Sequence, residues 1–303
     1  MRLKPGRPDI GRYAARFDVP AASGELGVTF LGVSTLLLSD GTSSVMTDGF
    51  FSRPGLVSVG LGRIAPSEAR IEAALSRAGV ERLDAVVPVH SHYDHALDSA
   101  VVASRTDAVL VGGASTVQIG LGGGLPVDRI QQVSGGSTVT HGSWTLTFAV
   151  SDHCPPDRYP GVITAPVVPP VRTAAYKCGE AWSIHVAHAS GRTLLVQGSA
   201  GFVPGAVDGW RAEIVYLGIG QLGVRPDDYI ESYWRETVTA VGAKRVVVTH
   251  WDDFFRSLDQ PLRALPYAGD DLDRAIRIID RLAARDGVRV SFPTVWRREN
   301  PWA

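Results

Sequence analysis

The stretch Leu83–Asp98, LDAVVPVHSHYDHALD, constrains the fold of this chain more than any other. Its first half is a continuous apolar run rather than an alternating one, the pattern of a short strand covered on both faces. Its second half packs His90, His92, Asp94 and His95 into six residues, although the whole chain has only eight histidines. A polar helix face does not account for them, because Pro88 and the β-branched residues before it resist helix. His90 and His92 are better placed as alternate residues leaving a strand, pointing to one side. Asp94 and His95 follow where a helix begins. Imidazoles and a carboxylate gathered this closely are costly to bury unless a cation offsets them. Zinc takes such nitrogen and oxygen donors, typically three at a catalytic site with water in the remaining place.

One short loop cannot wrap an ion, so other strand ends must contribute. WTLTFAV (144–150) runs into Ser151-Asp152-His153, and RVVVTH (245–250) ends on His250. Each places a histidine at the carboxyl end of an apolar strand, the edge where open α/β sheets gather ligands. Three such junctions carry more weight together than any one alone.

From Gly27 onward, VTFLGVSTLLLSDG and SSVMTDGFF read as two strands meeting at the turn Ser39-Asp40-Gly41. Helical periods run through SEARIEAALSRAGV, HALDSAVVASRT, DDYIESYWRETVTAVG and DLDRAIRIIDRLAARDG, and AVLVGG, WSIHVAH and TLLVQG read as strands. Their alternation in both halves predicts helices flanking central sheets. Residues 1–24 read as a polar arm that packs late or loosely, and residues 25–303 as one domain. The segment 155–172 holds six prolines and no usable period; such a loop is either a rim over a site or an irregular surface excursion.

Composition narrows the partners. The 303 residues are 45% hydrophobic and 20% charged with a formal net charge of -1, so nothing argues for nucleic acid and no acidic block suggests a tail. No apolar run approaches the roughly 18 residues of a membrane span. No apolar segment follows the N-terminal charges, so the expectation is a cytoplasmic protein acting on a small molecule. Two cysteines, Cys154 and Cys178, do not make a disulfide framework.

HSHYDH matches the HxHxDH signature of the metallo-β-lactamase superfamily, and the chain resembles that family in motif order from about Gly27 to Pro293. MTDGFF closes the early strand–turn–strand, and its Asp48 stands where the family has a structural aspartate. The resemblance implies an α/β protein, a four-layer αβ/βα sandwich of two mixed sheets flanked by helices, with metals at the sheet edge. It implies one metal on His90, His92 and His153 and a second on Asp94, His95 and His250. Asp94 would also orient the nucleophile, and Asp48 would support a ligand histidine. Zinc is the expected metal, at two sites or at one, with manganese or iron as alternatives.

One residue departs from the family pattern. Most members carry an aspartate bridging the two metals; here TLLVQGSAGFVPG (193–205) has Ser199 in that place. A neutral hydroxyl is a poorer ligand, and without the negative bridge the repulsion between two cations is less offset. The family's iron-dependent branches use that aspartate, and its nuclease and phosphodiesterase branches generally keep it. One β-lactamase subgroup has the ligand set found here with a serine at the bridging place, while FLGVSTLLL, TDGFF and the late HWDD look more like the lactonase and phospholipase-D-like branch. The expectation is a zinc-dependent hydrolase using a metal-activated hydroxide on a lactone, ester or amide bond. Its rivals are a phosphodiesterase or phospholipase-like metallohydrolase, an iron-dependent redox enzyme, and a metal-binding protein without catalysis. Asp157 and Asp252 are substitute carboxylates at best and read more readily as solvated loop acids. Cys154 reads as buried and inert, His141 as exposed, and His185 and His188 as strand residues outside the ligand set. Arg172, Lys177 and Arg225 are candidate cations for an anionic substrate.

Overall fold

Alternation along the strands sorts the side chains into layers. The computed structural model describes residues 4–303, so the first three residues of the arm lie outside the described residues. Six strands come first: β1 (Gly27–Phe30), β2 (Leu36–Ser39), β3 (Ser44–Thr47), β4 (Ala85–Val87), β5 (Val109–Gly112) and β6 (Ile130–Gln132). Seven follow: β7 (Thr138–His141), β8 (Trp144–Ser151), β9 (Ala181–His188), β10 (Thr193–Gln197), β11 (Ile214–Gly218), β12 (Arg245–Thr249) and β13 (Arg289–Ser291). The last strand, β14 (Arg298–Glu299), returns to the first group. The result is two seven-stranded sheets, β14-β1-β2-β3-β4-β5-β6 and β13-β12-β11-β10-β9-β8-β7. Each is mixed, antiparallel through β1–β3 or β7–β10 and parallel through β3–β6 or β10–β13.

Val45, Ala85 and Val87 point from the first sheet toward Leu146, Phe148, Ile184 and Val196 of the second, and this shared core glues the sheets face to face. Their alternates Met46, Val86 and Leu110 point outward and pack with Ile71, Leu75, Val102 and Ala103. The helices of this half are α1 (Leu56–Leu61), α2 (Glu68–Arg77), α3 (Tyr93–Ala96), α4 (Ser99–Arg105) and α5 (Ala114–Gly122). The outer face of the second sheet is covered by α6 (Asp227–Trp234) and α7 (Leu272–Asp286). Helix α7 buries Leu272, Ala275, Ile276, Ile279, Leu282 and Ala283, one stripe at helical spacing. Asp271 caps its first turn by accepting from the Arg274 amide, and Gly287 closes it in the left-handed region. The molecule is the expected four-layer α/β sandwich.

Local readings needed correction in three places. VTFLGVSTLLLSDG is two strands, not one, because the chain turns at Leu31–Thr35, with Gly32 at φ 90° and Val33 at φ 52°. A Cβ on Gly32 would lie 1.9 Å from Nη2 of Arg53, so the turn bends around a buried guanidinium and only glycine fits there. HALDSAVVASRT forms two short helices, α3 and α4, divided at Leu97-Asp98; the Asp98 carboxylate accepts the Phe51 and Ser52 amides at 2.7 and 2.6 Å. Strand β11, buried along its whole length, and the short strands β6, β7, β13 and β14 complete the sheets. Strands of two to four residues at a sheet edge are too short to show a period.

In the arm, Ile10, Tyr13 and Phe17 pack on the core beside α7, with the Tyr13 and Phe292 rings stacked at 5.3 Å and Arg16 paired with Asp280. Among the described residues no helix is long and apolar enough to cross a membrane.

Candidate metal centre

The ends of β3 and β4 are tied together by one carboxylate. Asp48, fully buried at φ 55°, accepts the Val89 amide on Oδ1 at 2.9 Å. Its Oδ2 lies 2.8 Å from Nδ1 of His95, at the start of α3. That bond places the His95 proton on Nδ1 and turns Nε2, which is buried without a hydrogen-bond partner, into the site. His90 and His92 leave β4 on one side, as strand alternation requires, and Nε2 of His90 lies 3.1 Å from Nδ1 of His92. His153, just past β8, donates from Nδ1 to the Cys154 carbonyl at 2.8 Å, and its ring lies 4.6 Å from that of His92. His250, just past β12, adopts φ 57° and donates its amide to the Val33 carbonyl at 2.7 Å. A Cβ on Gly220 would come 2.6 Å from its Nδ1. Nε2 of His250 and Nε2 of His95 lie 3.4 and 3.7 Å from the same Asp94 oxygen, Oδ2.

Two triads result, His90–His92–His153 and Asp94–His95–His250, each with its donor atoms within 4.8 Å of one another. Burial, reinforced by the neighbouring imidazoles, holds His90 well below the usual histidine range, and burial together with His92 brings His153 down to about 4. Both are therefore neutral at pH 7 with a lone pair to offer. Burial alone would raise Asp94, but His95, His250 and His92 outweigh it and hold the carboxyl below its usual range. Nε2 of His95 points into the second triad, buried without a hydrogen-bond partner, which is costly as it stands. A divalent cation would satisfy it, and imidazole with carboxylate suits zinc, iron or manganese.

Ser199 lies just past β10, buried, where its hydroxyl oxygen accepts the Cys154 amide at 3.0 Å. The two acids read as solvated are not. Asp157 is half-buried with Oδ1 3.1 Å from Nε2 of His92, because the proline-rich loop folds back over the first triad. Asp252 is fully buried in an ion pair with Arg53 at 2.6 Å and also accepts the Val33 amide at 2.9 Å. It holds the turn that receives His250 and is remote in role from a bridging carboxylate. Cys154 is buried, and burial pushes its thiol up to about 12. Cys178, which no sequence pattern singled out, is grouped with His92 and Asp157. His141 is half-buried against Gln131, while His185 and His188 bond the Arg211 carbonyl and Asp40.

Beside the triads lies a cavity of about 680 Å³, reached by His92 and His153 from one triad and by Asp94 from the other. Its cationic side chains are Arg7, Arg158 and Arg263, not Arg172, Lys177 or Arg225. Pro156, Arg158 and Tyr159 come from the proline-rich loop, which is therefore a rim. Distance in sequence hid Arg7 and Arg263 at the cavity and Arg53 beside Asp252; only the fold places them.

The fold recurs in solved structures. Igni18, a metallo hydrolase from the archaeon Ignicoccus hospitalis, superposes with a TM-score of 0.55 at 13% identity, over 91% of this chain and 96% of its own. A possible metal-dependent hydrolase from Veillonella parvula gives 0.55 at 13% identity, over 91% and 99%. CmlA, a diiron β-hydroxylase from Streptomyces venezuelae, gives 0.53 at 17% identity, over 92% of this chain and 54% of that longer one. No curated protein matches the sequence. The family model described as the metallo-beta-lactamase superfamily matches residues 28–201, more than half of the chain, and spans the HSHYDH loop, His153 and Ser199. The protein belongs to the metallo-β-lactamase superfamily.

Proposed function

We propose that the protein is a metal-dependent hydrolase, with zinc in the two triads, that opens a lactone, ester or amide bond of a small molecule. One observation carries this: both triads reach the wall of a single cavity, the first through His92 and His153 and the second through Asp94. When bound, such ions lower the pKa of a coordinated water, to about 7 for zinc, and polarise a carbonyl oxygen. Asp94, with 13% of its side chain exposed and its carboxyl held ionised, would hold the second ion and orient a water at the cavity wall. Asp48 keeps His95 in the tautomer that presents Nε2. Arg7 and Arg263 are both engaged by Asp253, at 3.2 and 2.9 Å, so Arg158 is the cavity arginine without an ion pair among the described residues. A largely apolar cavity with one available cation suits a neutral or singly charged acyl compound.

Elemental analysis tests this directly. Purified protein is expected to hold zinc, and Ser199→Asp is expected to raise the occupancy of the second ion by restoring a negative ligand between the two. Lactones and esters are expected to turn over faster than bis(p-nitrophenyl) phosphate. The reverse order would favour a phosphodiesterase, bound iron with oxygen consumption a redox enzyme, and absence of any transition metal would refute the proposal.

Asp157 supports the same centre from outside. Its carboxylate and the Tyr159 carbonyl, at 3.1 and 3.3 Å, both face Nε2 of His92, which places the proton there and leaves Nδ1 for a metal. Asp157→Ala is expected to weaken metal binding about 10–100-fold, the usual effect of losing an outer partner. Asp157→Asn, which keeps an acceptor, should lose less. Competition with a chromophoric chelator measures both; equal affinity in all three proteins would remove Asp157 from the centre.

A further inference from the structure

Helix α1 is an anomaly on the surface. Its sequence, LVSVGL, carries no charge and one polar side chain, Ser58, and Leu56, Val57 and Leu61 are 64%, 76% and 81% exposed. Leu56 and Val59, one turn apart, line the cavity beside the triads, opposite Phe254, Phe255 and Leu265. Val59, Phe254 and Phe255 each pack against the cluster that includes Tyr93. The segment after α1 is pinned to the proline-rich loop by paired bonds between Ile64 and Val171, at 2.8 and 3.1 Å, and by Thr173 donating to the Val59 carbonyl. That loop adds exposed Val162 and Val168. Apolar side chains of α1 and of the Phe254–Phe255 segment thus line the cavity from beside the donor atoms out to a lip at Leu56, which is exposed among the described residues.

We propose that this cavity binds an amphiphile, an acyl compound with a linear apolar chain. The chain lies between Val59 and the Phe254–Phe255 pair and emerges over Leu56, and an acidic group, where present, meets Arg158. The proposal deepens the hydrolase reading by naming its substrate class. A bilayer is the less suitable source of such a chain. Surface-bound helices carry lysine and arginine on their polar side, whereas α1 has six residues and neither of these.

Displacement of 11-(dansylamino)undecanoic acid from the metal-loaded protein tests chain binding without requiring turnover. Between hexanoate and decanoate, each two added carbons are expected to tighten binding about tenfold, since a buried methylene contributes about 0.8 kcal/mol. Leu56→Asp, at an exposed position, should keep the thermal midpoint of the parent and shrink the hexanoate–decanoate gap at least tenfold. Equal affinities along the series, or an unchanged gap in Leu56→Asp, would overturn the proposal. Phosphatidylcholine vesicles are expected to leave the protein in the supernatant; co-sedimentation lost in Leu56→Asp would assign the lip to a bilayer and overturn the free amphiphile. The hydrolase reading fails separately, through metal content and lactone turnover, so chain binding without turnover and turnover without chain dependence are distinct results.

Discussion

Asp94→Ala is expected to abolish hydrolysis and to release the metal of the second triad while the first triad keeps its own. Asp94 is the only carboxylate of the two triads, and one of its oxygens lies within reach of both His95 and His250. Without it, two neutral imidazoles remain to hold a dication, beside a serine where most of the family has a bridging aspartate. Loss of an outer hydrogen-bond partner already weakens metal binding about 10–100-fold, so loss of this ligand should exceed about 100-fold. The fold should survive, because the side chain borders the cavity rather than filling the core. Elemental analysis should show about one ion fewer per chain, and cobalt substitution should report the change in the remaining coordination. Two tightly held ions in Asp94→Ala would remove this residue from the ligand set.

Asp252→Ala is expected to cost stability more than any surface change. Arg53 and Asp252 are both fully buried, 2.6 Å apart, and Asp252 also satisfies the Val33 amide. Truncation leaves a guanidinium without its counter-charge and an amide without its acceptor. Breaking a buried pair from one side costs about 3–5 kcal/mol, a large part of the roughly 5–15 kcal/mol that a domain possesses. Replacing both partners, Arg53→Met with Asp252→Leu, should recover much of it, because no unpaired charge remains. Urea unfolding of the two proteins decides the matter. The metal affinity of Asp252→Ala should fall as well, since the Val33 carbonyl of the same turn accepts the His250 amide. A loss below about 1 kcal/mol would show that water or a neighbour replaces the carboxylate.

The sequence made the layers legible where an element was long or periodic. Helix α7 declares itself by its apolar stripe, its aspartate cap and its closing glycine, and β4 by a continuous apolar run leading into histidines. The break between β1 and β2 was not legible, because its cause is Arg53, outside both strands and buried under Gly32. Asp157 and Asp252 were misjudged for the same reason. A carboxylate in a loop is solvated unless a partner removes it from water, and the partners, His92 and Arg53, are 65 and 199 residues away.

What the sequence offered by itself is a set of candidate donors, histidines where three apolar strands end with Asp94 among them; their grouping into two triads, and the serine in place of a carboxylate, were what the family resemblance implied. The donors could be read because strand alternation and strand termini are local properties of the chain. What only the tertiary structure decided is how the donors are held and what they face. The tautomer of His92 is set by the Tyr159 carbonyl together with Asp157, and that of His95 by Asp48. The arginines at the cavity are identified only by the fold. The apolar lip of α1 meets the metal centre because two loops from different layers close around one cavity. Hydrogen bonds and burial at such range depend on how the two sheets pack, and no short stretch of sequence contains that information.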